Sequence, residues 1–194
     1  EKLAPEDVVV FLNEYMTQMV SVIRFHGGIV DKYIGDAIMA LWGVPLTSGD
    51  DAAKALTACI EMREKLAVFN EKREARGLEP IYIGMGLNVG EVVAGNIGSE
   101  EKMEYTVVGD PVNTASRIES MTKELGTDLL ISESMAEKVK DRFLLEACEA
   151  VHVKGKTESL KLFKVRGYKN GAGQEVIVET KFSSYSKSPP KIAA

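Results

Sequence analysis

Residues 27–43 read Gly27-Gly28-Ile29-Val30-Asp31-Lys32-Tyr33-Ile34-Gly35-Asp36-Ala37-Ile38-Met39-Ala40-Leu41-Trp42-Gly43. Segments 29–34 and 37–42 are rich in Ile, Val, Tyr, Met and Trp, and the Gly-Asp pair between them is a two-residue hairpin signal. The stretch therefore predicts two antiparallel strands joined by a tight turn. Because side chains alternate along a strand, we expect Lys32 and Ile34 to share one face, with Asp36 near the end of that face.

Asp36 is the first candidate functional residue, because its carboxylate lies at the predicted turn. A carboxylate on a rigid turn is a good ligand for Mg²⁺, which takes one or two protein carboxylates and leaves its other positions to water and phosphate oxygens. The alternative is that Asp36 only forms the turn, as aspartate often does. Turn propensity alone favours this alternative, so the rest of the chain must decide between them.

Length and composition predict one domain and a tail. The chain has 194 residues, 45% of them hydrophobic, which is enough to bury one sizeable core. We expect a domain over residues 1–170 and a mostly flexible tail over 171–194 that is able to add an edge strand. The sequence contains neither a membrane span nor a signal-peptide pattern, so the segment is expected to be soluble and free of membrane contact.

Charge and cysteine content exclude two further classes. The net charge of −5 argues against a nucleic-acid surface, although a few convergent Lys and Arg side chains can still bind a nucleotide that arrives with metal ions. Cys59 and Cys148 have neither a neighbouring C-x-x-C nor a His cluster, which predicts buried free thiols in a reducing compartment.

Periodicity and turn residues predict an α+β sandwich with a mainly antiparallel sheet. Helices are expected over residues 5–25, from a capping loop at 45–50 to about Gly77, from an N-cap at Asp110 to Leu125-Gly126, and from Ser132 to Val139. Strands are expected at 81–88 and 91–97, paired about a turn near Val89-Gly90, and at 103–108, 129–131, 143–153 and 159–168, the last two paired. The glycines between 84 and 98 match neither nucleotide-loop motif, so turns and close backbone contacts explain them better.

Three motifs carry a resemblance to a known family. The hairpin of residues 27–43 resembles that of the class III nucleotidyl cyclases, the catalytic domains of adenylate and guanylate cyclases. The stretch Tyr105-Thr106-Val107-Val108-Gly109-Asp110-Pro111-Val112-Asn113-Thr114-Ala115-Ser116-Arg117 is similar to a second motif, and Val153-Lys154-Gly155-Lys156 stands where the family has a phosphate-binding lysine. The motifs come in family order, and the resemblance covers about residues 4–168. It implies a ferredoxin-like core.

The resemblance also implies an activity and a set of site residues. It implies conversion of ATP to 3′,5′-cyclic AMP and pyrophosphate in a cytoplasmic domain, with two Mg²⁺ or Mn²⁺ ions per site. Two identical chains pair head to tail, and each site takes its metal carboxylates from one chain and its other groups from the partner. The roles implied are metal ligand for Asp36, base reading for Lys32 and Thr106, ribose positioning for Asn113, phosphate charge stabilisation for Arg117 and terminal-phosphate binding for Lys154.

Hydrogen bonding decides between the two purine bases. Lys32 can donate to N1 of adenine, and Thr106 can accept from its exocyclic amine, whereas guanine presents a donor at N1. A guanine would leave at least one buried group unpaired, at a cost of about 1–3 kcal/mol. The family's guanylate cyclases carry Glu at the position of Lys32. We therefore expect ATP to be preferred over GTP.

One departure from the family pattern concerns the first motif. An F-x-D-I-x-G-F-T strand and turn, which supplies the other metal aspartate, is missing from the sequence. Asp7 lies in the first helix, and Asp31 alternates to the strand face opposite Lys32, so neither is expected to replace it. The expectation is a domain cut before its first helix, with little activity alone and its second metal carboxylate missing from this chain. The upstream part of the parent could include a membrane anchor.

Two other functions remain as alternatives. A non-catalytic dimerisation or regulatory module could keep the cyclase fold, although such modules should lose some of the six site residues. A diguanylate cyclase would need a G-G-D-E-F-like hairpin, and Gly35-Asp36-Ala37-Ile38 differs from it.

Overall fold

The computed structural model describes residues 5–148, 160–178 and 180–181. The chain divides between Pro80 and Ile81 into two units. Among the described residues, no helix has both the length and the apolar character that a membrane crossing requires.

The first unit contains two helices and the predicted hairpin. Helix α1 covers Pro5–Phe25, strands β1 and β2 cover Ile29–Ile34 and Ala37–Leu41, and helix α2 covers Asp51–Ala75. The structure confirms the predicted hairpin and the predicted bounds of α1. Helix α1 packs on α2 and on β1, because its apolar residues recur at helical spacing on one side. The core contains Met19, Val22 and Ile23 from α1 and Leu56, Ala58 and Ile60 from α2.

The start of α2 is capped differently from the prediction. Asp50 occupies the N-cap position, but its side chain does not cap the helix. The Asp51 carboxylate reaches back into the loop, where it accepts hydrogen bonds from the Ser48 backbone N–H at 3.0 Å, the Ser48 hydroxyl at 2.6 Å and the Thr47 hydroxyl. The side-chain bond from Ser48, followed by that from Thr47, lowers the pKa of Asp51.

The second unit contains a five-stranded sheet, a separate two-stranded ribbon and two helices. The sheet order is β3 (Met85–Leu87), β6 (Leu129–Ser132), β8 (Leu162–Lys169), β7 (Phe143–Ala147), and β9 (Glu175–Ile177) also pairs with β8. Only the β3–β6 pair among these is parallel. Strands β4 (Val93–Ser99) and β5 (Lys102–Val108) form the ribbon, and the helices are α3 (Asp110–Ser120) and α4 (Glu133–Val139). This confirms the α+β class and the mainly antiparallel pairing.

The predicted pairing of segments 81–88 and 91–97 is wrong. The first contributes only β3, which pairs with β6, and the second contributes β4, which pairs with β5. Helix α3 packs closely on β3: a Cβ at Gly86 would lie 2.3 Å from the Glu119 backbone nitrogen, so only glycine allows this approach. The contact with α3 and the distant partner β6 together fix the place of β3.

Several element ends differ from the prediction. Gly109, not Asp110, is the N-cap of α3, and the helix ends at Ser120 before a series of turns up to Gly126. Ser132 caps α4 as predicted, because its Oγ accepts from the Met135 backbone N–H. Strand β7 ends at Ala147, and the remainder of the predicted 143–153 strand from residue 149 lies outside the described residues. Strand β9 confirms the predicted edge strand in the tail.

Candidate active site

The turn between β1 and β2 presents Asp36 at the end of the hairpin. Ile34 pairs with Ala37, and Gly35 has a φ of +62°, a value that suits glycine at the first central position of a type II′ turn. Asp36 itself is exposed. Burial, and secondarily the charge of Asp36, raises the pKa of Tyr15 in α1 to about 12. The Asp36 carboxylate is therefore accessible to a hydrated cation, and its charge acts on Tyr15 in the same unit.

A β-bulge in β1 changes the surroundings of Lys32. Val30 pairs with Ala40 and Lys32 pairs with Met39, so Asp31 is an extra residue in the strand. The Asp31 Oδ2 atom lies 3.4 Å from the Lys32 Nζ atom, and the side chains are 2% and 36% exposed respectively. The expectation that these two side chains lie on opposite faces is therefore wrong, because simple alternation does not hold across a bulge.

Thr106 occupies a regular position in the β4–β5 ribbon. It pairs directly with Gly95, and directly opposed residues of an antiparallel pair share one face. Thr106 is buried, at 8% exposure. A Cβ built on Gly95 would meet nothing within 4 Å. The ribbon therefore has an open space beside Thr106 on the face that carries its side chain.

Asn113 and Arg117 lie one turn apart on α3, so they share a side of the helix. Asn113 is exposed and Arg117 is half-buried. The start of this helix is fixed by Asn88, whose Nδ2 donates to the Pro111 carbonyl at 3.2 Å. The Thr114 hydroxyl donates to Asp110 at 3.3 Å. These bonds and the direct connection from β5 place the Asn113 and Arg117 backbone at a defined strand–helix junction.

The candidates are distributed over both units. Lys32 and Asp36 belong to the first unit, and Thr106, Asn113 and Arg117 belong to the second. Lys154, the candidate for the terminal phosphates, lies outside the described residues. Within the described ranges, no group of three or more His, Cys, Asp or Glu side chains is arranged to hold a metal ion. Asp36 fits the role of one carboxylate ligand to a cation that keeps water and phosphate oxygens in its other positions.

Sequence reasoning misses two residues beside these candidates. It places Asp31 on the strand face opposite Lys32, because the sequence has no visible signal for the bulge. The predicted explanation for Gly95, a turn or a close backbone contact, holds for Gly86 but is wrong for Gly95, where a Cβ would meet nothing within 4 Å. An isolated glycine inside an apolar strand was the available signal, since such a position often marks the approach of a ligand or another backbone.

A hairpin with a carboxylate at its turn and a strand–helix unit with an Asn/Arg pair are the features by which the sequence resembles a cyclase. The family model "Adenylate and Guanylate cyclase catalytic domain" matches residues 1–167. The chain therefore belongs to the adenylate and guanylate cyclase catalytic domain family, and the predicted family and fold are confirmed.

Similar proteins include both kinds of cyclase. The chain is 39% identical to an adenylate cyclase of Anabaena cylindrica over 86% of its own length and 34% of that protein. It is similar to the crystal structure of the guanylyl cyclase Cya2, with a TM-score of 0.81, 38% identity and coverage of 90% and 87% of the two chains. The adenylyl cyclase CyaB of P. aeruginosa gives a TM-score of 0.80, with 32% identity and 84% coverage of each chain. The chain spans about a quarter to a third of the length of two curated adenylate cyclases that it matches, and 8% of the length of a third.

Proposed function

We propose that this domain converts ATP to 3′,5′-cyclic AMP and pyrophosphate. The observation that carries the choice of ATP is Lys32, a cationic donor beside the buried Asp31 carboxylate on the hairpin that also presents Asp36. An ammonium has only donors, so it suits the N1 acceptor of adenine and opposes the N1–H of guanine. Thr106 has a hydroxyl that can accept from the adenine amine.

The chemistry requires the ribose 3′-oxygen to attack the α-phosphorus. The bond from the α-phosphorus to the β-phosphate oxygen breaks, pyrophosphate leaves, and the 3′-hydroxyl proton passes to solvent. Asp36 would hold a divalent cation, which supplies activation of the 3′-oxygen and neutralisation of phosphate charge. Asn113 orients the ribose, and Arg117 stabilises the charge that develops on the reacting phosphate. Lys154 holds the terminal phosphates.

We also propose that the active site forms between two copies of the chain. The β4–β5 ribbon supports a paired arrangement, because it exposes five large apolar side chains: Val93, Ile97, Met103, Tyr105 and Val108. In the head-to-tail arrangement, Asp36 serves one site, and Lys32 of the same hairpin serves the other. Each hairpin then contributes to both sites of the dimer.

The first experiment measures cyclic nucleotide formation by the full-length protein with ATP and GTP, each with Mg²⁺ and Mn²⁺. We expect cyclic AMP as the main product and dependence on the cation. We expect Lys32→Glu to shift the preference towards GTP, since a carboxylate accepts from the N1–H of guanine. A wild-type preference for GTP would overturn the assignment of substrate, and no product from either nucleotide would overturn the assignment as an enzyme.

The second experiment tests the shared site by mixing two inactive variants, Asp36→Asn and Arg117→Ala. If each site takes Asp36 from one chain and Arg117 from the other, a mixed dimer contains one intact site and one site with both changes. Random exchange makes half of the dimers mixed, so activity should return to about a quarter of the wild-type value. If mass spectrometry shows that the subunits have exchanged and the mixture still has no activity, the shared site is contradicted.

A further inference from the structure

We infer that Asp31 is a positioning residue that fixes the direction of the Lys32 ammonium and so sharpens the choice between adenine and guanine. This inference rests on the proposed function, in which Lys32 reads the base. It assigns Asp31 no contact with the nucleotide.

The geometry around the bulge carries the inference. A regular strand would send the side chains of residues 31 and 32 to opposite faces. The bulge between Val30 and Lys32 instead brings the Asp31 carboxylate to 3.4 Å from the Lys32 ammonium. Bulges recur next to active sites, where they redirect side chains. This bulge therefore turns two neighbouring residues into an ion pair.

Burial distinguishes the two members of the pair. The Asp31 side chain is 2% exposed, whereas that of Lys32 is 36% exposed. A buried carboxylate is held in one place by its surroundings, and burying a charge is expensive unless that charge is paired. Lys32 is therefore the more accessible member of the pair, and the buried Asp31 acts as its anchor.

Donor number explains how the anchor affects selectivity. An ammonium has three N–H donors, so Lys32 can keep one on Asp31 and direct another to N1 of adenine. A lysine without this anchor has a long flexible stem and can turn to the O6 acceptor of guanine. Asp31 therefore favours adenine by limiting where the donor can point, in addition to keeping a counter-charge nearby.

The test is a double-mutant cycle in the full-length protein, with Asp31→Asn, Lys32→Met and the combination of both. The readout is the ratio of kcat/KM for ATP to kcat/KM for GTP, together with the dissociation constants of both nucleotides. We expect Asp31→Asn to lower this ratio about tenfold, mainly by weakening the binding of ATP. A tenfold change corresponds to the loss of about one hydrogen bond of average strength. In the Lys32→Met background the same change should leave the ratio unchanged, because the ammonium through which Asp31 acts is missing.

The outcomes separate the two levels of the argument. If Lys32→Met leaves the ratio unchanged, the base-reading assignment in the proposed function fails. If Lys32→Met changes the ratio and Asp31→Asn does not, or if Asp31→Asn acts equally in both backgrounds, the inference about Asp31 fails. Glu133→Gln is the matched control, since it neutralises the partner of Lys161 in an exposed pair at 2.9 Å that contains none of the candidate site residues. It should not change the ratio.

A second measurement does not depend on the folding of the Asp31 variant. A crystal structure of the wild-type protein with a non-reactive ATP analogue should show the Lys32 ammonium within hydrogen-bond distance of both Asp31 and adenine N1. A Lys32 side chain that contacts the base and has left Asp31 would overturn the inference.

Discussion

The two antiparallel ribbons, β1–β2 and β4–β5, each carry one candidate base-reading residue, and they place it in different ways. In β1–β2 a bulge breaks the register and brings the buried Asp31 carboxylate to 3.4 Å from Lys32. In β4–β5 the register is unbroken, and Thr106 faces Gly95 across the ribbon. The first ribbon therefore holds Lys32 by an ion pair with Asp31, whereas the second leaves open space beside Thr106.

The ribbons also differ in what supports them. The end of β1–β2 is fixed within its own unit: the Trp42 Nε1 atom donates to the His26 carbonyl at 3.0 Å, and the His26 Nε2 atom lies 2.7 Å from the Glu61 carboxylate. Strand β4 has no buried residue, and in β5 only Thr106 and Val107 are buried. A ribbon with its own helical support can hold a bulge and an ion pair, whereas an exposed apolar ribbon needs a second surface. This difference supports the proposed dimer.

The largest expected effect concerns Asp36 on the first ribbon. We expect Asp36→Asn to lower kcat at least about 100-fold, because loss of a metal ligand removes several kcal/mol of charge stabilisation from the transition state. Thermal stability should change little, since the side chain is exposed. Steady-state kinetics at several Mg²⁺ and Mn²⁺ concentrations would measure the effect.

Asp141→Asn is the control, because Asp141 is an exposed turn carboxylate outside the candidate set. It should retain wild-type kcat. Wild-type kcat in Asp36→Asn would show that Asp36 only forms the turn, and that β1–β2 contributes only to base reading.

The next prediction tests the electrostatic link between the first ribbon and α1. Burial and the Asp36 charge raise the pKa of Tyr15 to about 12, above its ordinary value near 10. The folded state thus binds the Tyr15 proton more tightly than the unfolded state, so this contribution is complete below pH 10 and is lost as the pH rises towards 12. Relative to Tyr15→Phe, the wild-type free energy of unfolding should fall by about 2–3 kcal/mol over that range.

Chemical denaturation between pH 9 and pH 12 would measure this difference, with the same titration in Asp36→Asn as the control. That variant should lower the pKa of Tyr15 only in part, because burial is the larger cause. Equal pH dependence in wild-type protein and Tyr15→Phe would show that Tyr15 ionises as freely in the folded state as in the unfolded one.

Sequence reasoning succeeded where the signal was local. The Gly35-Asp36 turn fixes its own hairpin, and the spacing of Asn113 and Arg117 fixes their shared side of α3. It failed for β3 because a short apolar strand can pair with any neighbour, and its partner β6 lies more than forty residues away along the chain. It also failed at Asp31, because an alternating pattern contains no mark of a bulge. The roles of the site residues, which the motifs suggest, stay predictions.

The smallest expected effect concerns Gly95, where the second ribbon leaves open space beside Thr106. We expect Gly95→Val to raise the KM for ATP about tenfold, because a side chain on the shared face displaces the base from one hydrogen bond. The value of kcat should change less. Folding stability should be equal or higher, since valine favours strands and nothing lies within 4 Å of the new Cβ.

Ala94→Val is the matched control, because Ala94 is an exposed neighbour whose side chain points to the opposite face of the same ribbon. It adds the same kind of side chain and should leave the KM for ATP close to the wild-type value, with the dimer verified by mass for both variants. A rise in KM in both variants would locate the effect in the ribbon as a whole. A rise in Gly95→Val alone, with intact stability, would show that the missing side chain makes room for the base, since a merely structural glycine would change stability and leave KM unchanged.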